Sequence, residues 1–154
     1  MKIFISHKKE DATIAEKIAV ELEILGTSYY LDVLDPTITQ SGKALTDHIR
    51  KNLNDCTDII VIMSSRTLTS QWVPFEVGMS AQRDMPTATF LQSGVNLPEF
   101  LEYWPRLKAA SDIRKYVAAR NEVQAEYRTK PTLFEALYSS ETERFYSVLK
   151  RKLL

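Results

Sequence analysis

The chain has 154 residues, 44% of them hydrophobic and 26% charged, with 20 Lys and Arg balanced by 20 Asp and Glu. A chain of this length can bury a core as one domain without disulfides or metals, and its zero formal net charge gives no support to a nucleic-acid or membrane surface as its main business. The single cysteine, Cys56, excludes an intrachain disulfide, speaks against a Cys-rich zinc site and fits a reducing cytoplasm.

The amino terminus, MKIFISHKKED, contains an apolar run of only three residues, too short for a signal peptide or a membrane span, and no later stretch is long and apolar enough to span. Ile3-Phe4-Ile5 reads as a buried strand leaving into the polar segment Ser6-His7-Lys8-Lys9. A helix follows over roughly Asp11 to Leu25, with Ile14, Ile18, Leu22 and Leu25 on one stripe and Gly26 where a C-terminal cap belongs. Ser28 to Leu31 is a second strand. Asp32 to Ser41, with Asp35-Pro36 and no helical stripe, is expected as a loop. Leu45, Ile49 and Leu53 mark a second helix. Ile59 to Met63 is apolar throughout, as a central parallel strand should be.

Ser64-Ser65 ends that strand, and a helix around Trp72 to Arg83 follows, closed by Pro86. Thr87 to Leu91 is a fourth strand, Pro98 to Trp104 a short helix, and Arg106 to Ala109 a short fifth strand at the edge. Ser111-Asp112 opens another helix with Ile113, Tyr116 and Val117. Ser140 and Glu143 suggest a capping box for a last helix whose basic end, Lys150-Arg151-Lys152, suits the helix dipole. The alternation of strands and helices implies a parallel sheet covered on both faces, with a ligand crevice at the carboxyl ends of the strands. Ser6 to Lys9, Asp32 to Gly42 and Ser64 to Glu76 would meet there.

Several chemistries lack support. There is no GxxxxGK[ST] or GxGxxG phosphate loop. The acidic pattern of a phosphoacceptor receiver is missing. His7 and His48, the only histidines, are far apart in sequence, so no metal site is expected. A triad of Ser64, His7 and Asp32 has no nucleophile-elbow motif behind it. The stretch SQWVPFEVG stands out instead: if Ser70 caps the helix, Trp72 and Glu76 are i and i+4 and share a face. The bland alternative is a solvent-facing helix Glu beside a core-edge Trp. One carboxylate with a flanking aromatic suits cleavage of the N-glycosidic bond of NAD. Nicotinamide leaves that bond as a neutral molecule, so no general acid is needed, and a carboxylate can hold the ribose and stabilise the oxocarbenium charge.

IFISHKKED, YYLD with the following PTITQSG, DIIVIMSS and SQWVPFEVG, in this order and spacing, resemble the TIR (Toll/interleukin-1 receptor) domain family, most of all its bacterial members. LPEFLEYWPRL resembles a family-type continuation, and past Ser111 the match is weak. The resemblance implies a flavodoxin-like three-layer α/β sandwich with a five-stranded parallel sheet, a single domain over 1–154 with a core over about 1–110 and a helical extension over about 111–154. It implies Glu76 as the catalytic residue of an NAD nucleosidase or ADP-ribosyl cyclase, and Trp72 as a pocket wall. Phe4, Ser6 and His7 would lie toward the ribose and diphosphate, with Lys8 offsetting phosphate charge, and Asp32 would begin a 32–42 loop that covers the site and mediates self-association. NAD is then substrate, with no cofactor or metal. This loop departs from the common pattern in having no basic residue before Lys43. A stand-alone TIR of this size, with no attached effector or sensor domain, resembles the signal-producing component of a Thoeris-type antiphage system, whose ADP-ribose-derived product a separate effector protein reads. The alternative is a non-catalytic TIR–TIR interaction module, a virulence TIR included.

Overall fold

The strand β1 (Lys2–Ser6) sends Ile3 and Ile5 to one side of the sheet and Phe4 to the other, and β3 (Asp58–Met63) divides in the same way. This period of two builds two cores on one sheet. The computed structural model describes residues 1–31, 41–129, 133, 138 and 140–154. Within them lie β2 (Ser28–Leu31), β4 (Thr87–Leu91) and β5 (Arg106–Leu107), and the helices α1 (Ala12–Ile24), α2 (Gly42–Asn54), α3 (Trp72–Gln82), α4 (Asp112–Thr129) and α5 (Glu141–Leu153). The strands are parallel in the order β2-β1-β3-β4-β5, the flavodoxin-like order expected, with helices on both faces.

One core joins Ile3, Ile5, Ile60 and Ile62 to Ile18 and Leu22 of α1, Tyr116 of α4 and Phe145 of α5. The other joins Phe4, Ile59, Val61 and Met63 to Leu53 of α2 and Val73 and Val77 of α3. All six residues of β3 are buried, which is why its apolar pattern has no gaps. Each such Ile contributes roughly 1.5–3 kcal/mol by leaving water. The segment after Ser111 supplies α4 and α5, which pack on the sheet. Tyr116 and Phe145, both fully buried, meet edge-on with ring centroids 5.0 Å apart.

The local signals have physical counterparts. Gly26 takes a left-handed φ of 62° after α1, and the Thr27 N–H donates to the Leu22 carbonyl at 2.9 Å, closing that helix. Ser140 Oγ accepts from the Glu143 N–H at 3.2 Å at the start of α5, and the Glu143 carboxylate accepts from the Tyr103 hydroxyl.

Two expected elements are shorter. The helix expected over Pro98 to Trp104 is a single 3-10 turn, Glu99–Leu101, since Pro105 biases its predecessor toward extended backbone. β5 stops at Leu107 because the N–H groups of Lys108 and Ala109 donate to the Asp112 carboxylate at 2.9 and 3.2 Å.

At the amino end of β3, Asp58 is fully buried. It accepts from Arg120 Nε at 2.6 Å, the Tyr116 hydroxyl at 2.9 Å and Thr57 Oγ1 at 2.5 Å. Arg120 also reaches Glu141, 3.2 Å away, and lies over the Phe145 ring. This charged knot ties α4 and α5 to the far end of the sheet from the crevice.

Candidate functional site

The strand order reverses direction at β1, so the carboxyl ends of β1 and β3 flank a topological switch point, where open α/β sheets bind ligands. Ser6 ends β1 opposite Val61 of β3. By the alternation that points Phe4 to the α2–α3 side, Ser6 faces that side too. α3 supplies its partner. Ser70 Oγ accepts from the Val73 N–H at 3.3 Å, and the helix then turns Val73, Glu76, Val77 and Ser80 inward. Glu76 is therefore on the buried stripe, 4% exposed, and its Oε2 accepts a hydrogen bond from Ser6 Oγ. A buried carboxylate without hydrogen bonds would be costly, so this contact also fixes which way the group points.

Trp72 is half-buried one turn before Glu76, and its indole packs edge-on against Phe75 at 5.8 Å between centroids. The two aromatics thus share the first turn of the helix that carries the acid. Phe4 is fully buried beneath this region and packs on Tyr30, 5.3 Å away, whose hydroxyl lies 3.0 Å from His48 Nε2. His7 is half-buried, with Nδ1 3.1 Å from the Ile5 carbonyl. Lys8 Nζ donates to Thr69 Oγ1 at 3.3 Å and lies 3.7 Å from Glu10. Ser6 and Glu76 are thus joined directly, while Lys8 crosses the crevice to the segment before α3. Asp32, and all of the 32–42 loop except Ser41 and Gly42, lie outside the described residues. Ser41 Oγ accepts from the Ala44 N–H at 3.3 Å, capping α2.

Sequence reasoning missed the polar knot beside the site, in which buried Asp11 holds Ser64 and Thr67. The Ser-rich end of β3 was a turn signal, but nothing in it named Asp11 as partner. A small apolar cavity of about 110 Å³ lies behind the first turn of α3, between Met63, Val73, Val77 and Leu101, with Leu68 and Phe100 exposed at its rim. Among the described residues no three His, Cys, Asp or Glu side chains converge as metal ligands, and no helix is long and apolar enough to cross a membrane.

No curated protein matches this chain. Among solved structures it is similar to the TIR domains in the activated Roq1 resistosome directly recognizing the pathogen effector XopQ. The identity is 15% and the TM-score 0.47, over 98% of this chain and 82% of that one. The sequence profile of the TIR domain matches residues 3–129, most of the chain, including every strand and the helix that carries Glu76. The chain belongs to the TIR domain family.

Proposed function

We propose that this TIR domain cleaves the nicotinamide–ribose bond of NAD, with Glu76 as the catalytic carboxylate. The observation that carries this reading is the buried Glu76 side chain, bonded to Ser6 at the switch point of the sheet. Glu76 holds the hydroxyls of the nicotinamide ribose and stabilises the positive charge that develops on that ring. The C–N bond breaks with both electrons going to the pyridine nitrogen, so nicotinamide departs neutral. Water captures the cation and releases a proton, or a nucleophile of the same or another small molecule takes its place, giving hydrolysed, cyclised or conjugated ADP-ribose. In this reading Trp72 walls the pocket, Phe4, Ser6 and His7 lie toward the ribose and diphosphate, Lys8 offsets phosphate charge, and Asp32 begins the 32–42 loop that covers the site. Self-association through that loop completes the active assembly. In this reading the protein works in the cytoplasm as the signal-producing half of an antiphage pair, its product read by a separate effector.

Concentrated protein is incubated with NAD, with and without lysate from phage-infected cells, beside Glu76→Gln, and products are followed by mass spectrometry. Glu76-dependent loss of NAD is the expected result, and the product mass separates the three fates of the cation. Near wild-type cleavage by Glu76→Gln removes Glu76 from the chemistry. Intact NAD under every condition gives the lead to the non-catalytic interaction module.

A further inference from the structure

We propose that Asp11 is a positioning residue for Glu76: its buried carboxylate clamps the segment after β3 to the segment after β1 and so sets where α3 begins, a role that rests on Glu76 being the NAD-cleaving carboxylate. Asp11 closes the 3-10 turn Lys9–Asp11 that leads from β1 into α1, and is 1% exposed. A single oxygen, Oδ2, accepts from Ser64 Oγ at 2.6 Å and from Thr67 Oγ1 at 2.8 Å. Ser64 Oγ in turn accepts from the backbone N–H groups of Arg66 and Thr67, at 3.1 and 3.2 Å. The 3-10 turn Thr67–Thr69 is thereby wound onto the Asp11 carboxylate. Two exposed contacts run the same way: Lys8 Nζ donates to Thr69 Oγ1, and Arg66 Nη1 to the Glu10 carbonyl. Ser70 follows and accepts from the Val73 N–H, although the N-cap residue of α3 is Gln71 rather than Ser70, and Glu76 lies one turn further on.

The knot is a poor device for stability alone. Its donors to the carboxylate are neutral hydroxyls, and Asp11 Oδ1 is buried with no hydrogen-bond partner among the described residues. Arg66 Nη1 is 3.7 Å from that oxygen, beyond hydrogen-bond range. A buried carboxylate so incompletely satisfied costs free energy relative to an apolar filling. What it supplies is direction. Both hydroxyls converge on one atom, so the segment after β3 has one register against the segment after β1. Ser6, at the end of β1, then meets Glu76 from a fixed side. The stretch from Ser64 to Glu76 is thus held at both ends, by Asp11 at one and by Ser6 on the Glu76 carboxylate at the other.

The test is steady-state NAD cleavage together with hydrogen–deuterium exchange on the full chain, comparing wild type, Asp11→Ala, Asp11→Asn and Thr67→Val. Asp11→Ala is expected to lower kcat by about tenfold to a hundredfold with KM within about twofold, because orientation rather than uniform binding is lost. Exchange should rise over 67–76 and stay unchanged in α4 and α5. Asp11→Asn keeps a carbonyl oxygen for both hydroxyls and should bring kcat back to within about threefold of wild type. Thr67→Val removes one of the two donors and should give the same split at about fivefold, which serves if Asp11→Ala fails to fold. Unchanged kcat in Thr67→Val and Asp11→Ala overturns the clamp, as does loosening spread evenly over the chain. If wild type leaves NAD intact, the Glu76 reading fails separately. Exchange confined to 67–76 then still decides whether Asp11 orders the start of α3.

Discussion

Ser6, the last residue of β1, donates its hydroxyl hydrogen bond to the carboxylate of Glu76 on α3, and both side chains are buried. The contact links the strand at the switch point to the helix beside it. Ser6→Ala leaves the buried carboxylate with one donor fewer. We expect a loss of about 1.5–3 kcal/mol in stability by urea denaturation, as for bonds to charged groups. NAD cleavage should fall by about tenfold, since the acid is then less well oriented. A variant equal to wild type in both measurements would mean that this bond neither stabilises the fold nor orients Glu76.

Arg120→Met should be among the most damaging changes away from the crevice. It strips Asp58, which is fully buried, of the guanidinium at 2.6 Å, and only the hydroxyls of Tyr116 and Thr57 remain on it. Breaking a buried pair by removing one partner typically costs about 3–5 kcal/mol. Chemical denaturation measures this directly. Arg120→Met combined with Asp58→Asn should recover part of the loss, because the uncompensated charge goes with the second change.

Cys56 is 2% exposed, and burial pushes its thiol up to about 11. The native protein should therefore resist iodoacetamide at about pH 8, where an exposed thiol is substantially ionised. Reaction should appear on unfolding in urea, with one label per chain by intact mass. Rapid labelling of the folded protein would contradict this burial.

Asp112 links acidity to the packing of α4. Burial opposes its charged form, but the Lys108 N–H, the Lys115 ammonium and the Ala109 N–H together outweigh burial and hold its carboxyl below the usual Asp range. A carboxyl depressed in the folded state stabilises the fold above its unfolded pKa of about 4, and that contribution is lost as pH falls through the lower folded value. Asp112→Asn should thus be less stable than wild type near neutrality, and the difference should shrink in acid. Thermal melts at a series of pH values test this, and a constant difference at every pH would count against it.

If self-association completes the active assembly, NAD cleavage should rise faster than linearly with protein concentration or with a crowding agent. Initial rates over a dilution series, with light scattering on the same samples, provide the check. Strict proportionality down to nanomolar protein would show that the isolated chain suffices.

Local pattern carried most of the fold. The unbroken apolar run of β3 marked a strand covered on both faces, the stripe Leu45, Ile49 and Leu53 marked α2, and Gly26 marked the end of α1. These features depend on spacing along the chain, and spacing is what a sequence records. The limit of β5 was less legible, because a side chain further on, Asp112, takes the N–H groups that would have extended the strand. SQWVPFEVG announced an acid one turn after an aromatic. It left open whether Glu76 faces water or the interior, since a helix has both faces and Phe75, its neighbour, is itself partly exposed.

By itself, then, the sequence determined the order of elements, the family to which they belong and the pairing of Trp72 with Glu76 on one helix. Tertiary structure alone decided which charges are buried and what they meet. Ser6 with Glu76, Asp11 with Ser64 and Thr67, and Asp58 with Arg120 are each separated by more than fifty residues. A polar side chain enters the interior only where a partner from another element compensates its desolvation. Periodicity along one segment holds no information about that partner. It is set by the register of β1 against β3 and by the way α3 and α4 lie across them.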